Sequence, residues 1–221
     1  MGDSGSVPDQ AFERARRPEH KQQRREAILA VARKLAIESG VREVSLRRVA
    51  AEVGLAKSNV VRYFSTREEI FLELTVESWR DWADDVLGRL RAGDDVIDAL
   101  TEPLATRPLF CDLLSQLGTA LEHNLSVPAA LTFKVTVLDI TGELGAAIAQ
   151  ARPDLTQDEA EELVARATGC AGTYYPAANP PPTLVELYRQ RPDLAATCPK
   201  LLPTLKRTLA ALAAGLPTLR A

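Results

Sequence analysis

Apolar side chains recur at three- and four-residue intervals along most of this chain, and glycine or proline punctuates the runs. The first clear run predicts a helix over residues 20–39, with Ile28, Val31, Ala32, Leu35 and Ala36 on one face. Arg24, Arg25, Arg33 and Lys34 lie largely off that face, and Gly40 follows as a stop able to take a left-handed conformation. Next comes VREVSLRRVAAEVG, in which Ser45 is a natural N-cap and Val44 can pack on Val49 as a hydrophobic staple. Leu46, Val49, Ala50 and Val53 make the buried stripe of that short helix, and Gly54 closes it at a turn that calls for positive φ.

Leu55 anchors the turn, and a second short helix is expected over 57–63. Its inner positions are Val60, Val61 and Phe64; Lys57, Ser58, Asn59, Arg62 and Tyr63 stand at its start and outer face. Ser65, with Glu68 three residues on, has capping-box spacing for a long helix to about residue 90, through Ile70, Phe71, Leu74, Trp79 and Trp82. Helical runs continue near 94–106, 108–123, 128–151, 156–175, 183–190 and 197–213. No strand pair and no internal repeat interrupts them, so the expected fold class is all-α.

Two short helices joined by a glycine turn and packed on a longer helix have the anatomy of a helix-turn-helix. Three segments follow from this: a flexible N-terminal arm over 1–19, a three-helix unit over 20–65, and a helical body over 66–221 that includes the connecting helix.

Charge sharpens this division. The net charge of -3 over 221 residues conceals a basic head, with 14 Lys or Arg against 8 Asp or Glu in residues 1–67, a net of +6. Residues 68–221 carry 13 against 22, a net of -9. A basic head on an acidic body can bind nucleic acid locally. With 46% hydrophobic residues the chain can bury a substantial core.

An α-helix fits the major groove, where base edges expose distinct donors and acceptors. Lys57, Ser58, Asn59 and Arg62 are the candidates for reading bases: a cation can engage guanine, and the Asn59 amide has the geometry to pair with adenine. Ser45, Tyr63 and Arg67 are placed as phosphate clamps, assisted by Arg24, Arg47 and Arg48. A single short helix contacts too little DNA for firm specificity, so a dimer on a roughly palindromic double-stranded operator is the natural arrangement.

The stretch SLRRVAAEVGLAKSNVVRYFSTREEIFLEL, from Ser45 to Leu74, resembles the tetracycline-repressor (TetR/AcrR) family. Ser45, Val49, Ala50, Gly54, Leu55, Tyr63, Phe64, Ser65, Arg67 and Glu68 match its pattern, over about residues 23–74. The sequence departs from that pattern at Ala56, where serine is usual, at Ser58, where glycine or proline is frequent, and at Val61, where tyrosine is frequent. The resemblance implies a homodimer, a three-helix DNA-binding domain, and a C-terminal helical regulatory and dimerisation domain. It also implies a transcriptional regulator, most members being repressors released by a small molecule.

Apolar stretches in the body suggest where a small, predominantly apolar effector would sit. Phe110, Leu114, Leu117, Leu121, Phe133, Val137 and Ile140 are candidate walls, and Cys111, Gln116, His123, Thr136 and Tyr174 candidate polar handles. Ordinary helix-bundle core is the competing explanation for each of them. Leu155, Leu163, Val164 and Ala167 form one apolar stripe, and Leu201, Leu202, Leu205, Leu209 and Leu212 another; both are expected at the dimer interface.

Other chemistries lack a signal. The three cysteines, Cys111, Cys170 and Cys198, are far apart and odd in number, which fits a reducing cytoplasm. No CxxC, HExxH, phosphate loop or nucleophile elbow is present, so no metal, cofactor or catalytic residue is expected. No apolar run reaches membrane-spanning length. A helical protein-binding scaffold would explain the amphipathic helices but leaves the basic head and glycine turn without a purpose, and an enzyme would need an unrecognised site in the bundle.

Overall fold

The first helix is longer than its apolar period. In the computed structural model, which describes residues 9–220, α1 runs Asp9–Ser39. The backbone of 9–19, expected as part of a flexible arm, is therefore helical; residues 1–8 of that arm lie outside the described residues. This stretch has no periodic apolar face to announce a helix, and it carries Pro18 within it beside the good helix formers Glu13, Arg14, Ala15, Arg16 and Arg17.

α2 (Leu46–Val53) and α3 (Lys57–Val61) follow, and α4 (Arg67–Ala92) joins head to body. The body holds α5 (Val96–Ala105), α6 (Pro108–Gln116) continued by a π-turn at Leu117–Leu121, α7 (Val127–Ala151), α8 (Gln157–Ala178), α9 (Pro182–Gln190), α10 (Pro192–Ala195) and α11 (Leu201–Gly215). The fold is all-α, as the periodicity predicts.

Several boundaries shift. α4 is capped by Thr66, whose hydroxyl accepts from the Glu69 amide at 3.2 Å, and not by Ser65. The Glu69 carboxylate accepts from the Ser65 amide at 2.8 Å, one residue before the cap, so it closes the turn into α4 without completing a reciprocal capping box on Thr66. Gly40 has φ 84 and ψ 149, a positive-φ conformation outside the left-handed helical region.

Two cores share α4. Ile70, Phe71 and Leu74 join Ile28, Ala32, Val49, Val60 and Phe64 in the head core, which also receives Leu113 and Leu121 from the body. One and two turns on, Trp79 and Trp82 enter the body core, where their ring centroids stand 5.4 Å apart, edge to face, with Phe110 at 5.8 Å from Trp79. Head and body are thus sewn together along one helix.

α8 is the axis of the body, packed against α5, α6, α7 and α11. Leu155, Leu163, Val164 and Ala167, expected at a dimer interface, are fully buried within this one chain, as are Leu205 and Leu209; Leu201 and Leu212 pack half-buried against the same core, and Leu202 is half-buried. An apolar stripe states that a face is covered but not by what, and here α8 and α11 cover each other. At Gly172 an added Cβ would sit 2.9 Å from the Leu114 carbonyl carbon, so α6 and α8 touch backbone to side. α9 and α10 bury no residue and leave Leu184, Val185, Leu187 and Leu194 exposed.

Candidate nucleic-acid interface

The turn between α2 and α3 fixes everything displayed on α3. Gly54 adopts φ 73 and ψ 31, and the Leu55 amide donates back to the Ala50 carbonyl at 2.9 Å. Ser45 opens α2 by accepting from the Arg48 amide at 3.2 Å, and Val44 and Val49 are both buried beside it, as a staple requires. Ala50 is buried at the crossing of the helices. Ala56 caps α3 with backbone only, the direct result of lacking a hydroxyl there.

Val60 pins α3 from inside with no exposed surface, and Phe64 does the same just beyond its end. Their four-residue spacing leaves Lys57, Ser58, Asn59 and Arg62 outward and exposed, so the structure brings the four proposed base readers together. Val61, expected inside, is 42% exposed, because only one position per turn of so short a helix can face the core. The helix also ends at Val61, which leaves Arg62 and Tyr63 in the turn that follows. Arg24, Ser45, Arg47 and Arg48 are exposed on neighbouring elements; Arg48 Nη1 also donates to Ser39 Oγ at 2.9 Å.

One of the proposed phosphate clamps, Arg67, is committed elsewhere. Arg67 Nε donates to the Val44 carbonyl at 2.6 Å and Nη2 to the Val41 carbonyl at 2.5 Å, while its guanidinium lies 5.0 Å from the Phe71 ring centroid. It thus fastens the loop before α2 onto α4, with its donors turned into the protein. Tyr63 is half-buried and packs on the head core. Its carbonyl accepts from Arg25 Nη1 at 3.0 Å.

Arg25 carries weight that no local pattern announces. Besides Tyr63 it forms a two-pronged pair with Glu73, and its guanidinium lies 4.2 Å from the Phe64 ring centroid. α1, the end of the recognition segment and α4 therefore meet on one side chain. A second tie comes from the body: the Val41 amide donates to Asp112 Oδ2 at 2.7 Å.

The candidate effector residues are scattered. Phe110, Cys111 and Leu121 are fully buried, and burial pushes the Cys111 thiol up to about 12 while it donates to the Leu104 carbonyl at 3.3 Å. Leu114, Val137, Ile140 and Tyr174 pack half-buried on the body core, with Tyr174 Oη 3.4 Å from Thr208 Oγ1. Leu117 packs on the head core, Gln116 donates to Ser115 Oγ at 3.1 Å, and His123 is exposed. Phe133 and Thr136 meet at a cavity of about 490 Å³ between head and body. Among the described residues no group of three or more His, Cys, Asp or Glu is arranged to hold a metal, and no helix is long and apolar enough to cross a membrane.

Two family descriptions match this chain: "Bacterial regulatory proteins, tetR family" over residues 28–74, and "Tetracyclin repressor-like, C-terminal domain" over residues 76–220. The HTH-type transcriptional regulators Rv1816 of Mycobacterium tuberculosis and Mb1846 of Mycobacterium bovis are each 33% identical over 82 residues, 37% of this chain. The match spans 34% of the length of those relatives. A possible TetR family transcriptional regulator from Streptomyces coelicolor A3(2) shares the fold, with a TM-score of 0.57 and 19% identity over 89% of this chain and 100% of that one.

Proposed function

Since the chain belongs to the tetracyclin repressor family of bacterial regulators, whose general partners are DNA and a second copy of the chain, we propose that it binds a roughly palindromic double-stranded operator as a homodimer. On this reading it acts in the cytoplasm as a transcriptional repressor that a small effector releases. The observation that carries the reading is the outward set Lys57, Ser58, Asn59 and Arg62, held on a helix that Val60 and Gly54 fix in place. Two such helices in a dimer would lie about 34 Å apart, one turn of duplex.

Asn59 reads a base edge, and Arg24, Ser45, Arg47 and Arg48 set the register on phosphates. The hydroxyl of Tyr63 adds at most one backbone contact, since its ring is already half-buried. The two stripes first expected to pair between copies are buried within the chain, so a second copy would meet other faces; Leu131, Val135 and Leu138 on α7 and Leu184, Val185 and Leu187 on α9 are apolar and exposed.

Selection of preferred duplexes from a random pool, followed by titrations at fixed salt, tests the reading. Asn59→Ala is expected to lose about 1–3 kcal/mol on the preferred site and to relax preference at one symmetric position. Tyr63→Phe is expected to weaken all duplexes slightly and alike. Folded protein that enriches no duplex, or a persistent monomer in sedimentation at micromolar concentration, would overturn the proposal.

A further inference from the structure

The cavity of about 490 Å³ between head and body has the size of a small-molecule site. Its walls come from α1, α4, α7 and the segment after α3, so it opens where the DNA-binding unit is attached and not inside the aromatic core of the body. Phe64, Leu72 and Phe133 give it an apolar lining, each at most 5% exposed.

Its charged groups are not equivalent. Arg25 is held by Glu73 and by the Tyr63 carbonyl, and the Glu69 carboxylate is engaged by the Ser65 amide. Arg80, at the rim, is exposed and makes no ion pair among the described residues. A cation without an ion pair attracts an anion, although the Glu69 carboxylate keeps its charge in the same lining, and the nearby phenyl and aliphatic side chains favour an apolar body attached to it. Thr132 and Thr136 donate their hydroxyl protons to the carbonyls of Pro128 and Thr132, so neither donates to a guest and an anionic group is left to Arg80.

We infer that this junction cavity binds a small amphipathic carboxylate, its anionic group on Arg80 and its apolar body against Phe64, Leu72 and Phe133. The inference gives a place and a chemical class to the effector of the proposed function, and its regulatory part rests on that reading. A guest here lies against the Arg25 guanidinium, which orders the carbonyl of Tyr63 at the end of the recognition segment. Any difference in the Arg25–Glu73 geometry between free and DNA-bound forms would make the guest prefer one of them, which is the condition for release.

Calorimetric titration of the full chain with decanoate below its micelle concentration, and with decan-1-ol as the neutral counterpart, tests the site. One decanoate per chain is expected, weakened about tenfold or more by Arg80→Gln, with decan-1-ol binding more weakly and indifferent to that change. Thr136→Trp, which fills the cavity, is expected to abolish both. Arg80 is exposed, so its variant should melt like the parent. No saturable uptake of decanoate, or unchanged affinity in either variant, overturns the site. Adding decanoate to the protein on its selected duplex separates the two claims. Release from the parent but not from Arg80→Gln supports both. Uptake sensitive to Arg80 without release supports the site and overturns effector control.

Discussion

The Val41 amide and the Asp112 carboxylate, 2.7 Å apart, form a hydrogen bond that joins the turn between α1 and α2 to α6 of the body. That amide begins a short helical turn, so it has no partner of its own within the turn. Asp112→Ala leaves it without this acceptor and is expected to cost about 1–3 kcal/mol in urea unfolding. Hydrogen exchange at Val41 should quicken more than exchange within α8. Equal protection at Val41 in parent and variant would show that the bond does not hold the loop.

Gly54 and Gly40 both have positive φ but are expected to respond differently to substitution. Gly54, at ψ 31, is in the left-handed region that asparagine visits, and nothing lies within 4 Å of an added Cβ. Gly54→Asn should therefore stay within about 1 kcal/mol of the parent. Gly40, at ψ 149, occupies a region close to glycine-only, and Gly40→Asn should cost about 1–3 kcal/mol. Thermal melts of the pair check the order, and a greater loss at Gly54 would reverse it.

Arg67 and Arg47 separate fold from DNA. Arg67→Ala removes two charge-assisted bonds to the Val41 and Val44 carbonyls and is expected to lower stability by about 2–3 kcal/mol. The salt dependence of DNA binding by the fraction still folded should not change. Arg47 is exposed, so Arg47→Ala should leave stability within about 0.5 kcal/mol and reduce the salt slope by about 1. Binding isotherms over a series of salt concentrations distinguish the two.

Cys111 should resist thiol reagents in the folded protein. Its thiol, pushed up to about 12 by burial, stays protonated at pH 8, whereas Cys170 and Cys198 are only half-buried. Because the folded value lies above the ordinary value of 9.0, this group favours folding below that value and loses its contribution as pH rises from there toward about 12. Timed alkylation with mass readout is expected to mark Cys111 last, and only with global unfolding.

The local grammar of the head was legible because its partners are near in sequence. Ser45 finds the Arg48 amide, Val44 finds Val49, and Gly54 takes positive φ because the chain reverses there. Longer reach hid the rest. Arg67 looked like a surface cation because its acceptors are backbone carbonyls 23 and 26 residues earlier, which no side-chain pattern encodes. Arg25 and Glu73, 48 residues apart, were equally silent. Leu163 and Leu205 showed that their faces are covered without showing that each covers the other's helix in the same chain. Ser65 and Thr66 are each followed three residues later by a glutamate, so the spacing that pointed to Ser65 fits Thr66, the actual cap, equally well.

The contact of Gly172 with Leu114 makes α6 and α8 a geared pair. Side chains between helices act as springs, taking up small displacements by changing rotamer; where an added Cβ would come within 2.9 Å of the opposing backbone, there is almost no spring. A tilt of α8, the axis against which the body is assembled, must then carry α6 with it at nearly full amplitude. Asp112 rides on α6 and accepts from the Val41 amide, so the displacement would arrive at the turn between α1 and α2 with little slack. The body is thus a lever arm with a stiff bearing, and on the proposed reading the angle at which two heads would face a duplex would follow the seating of α8.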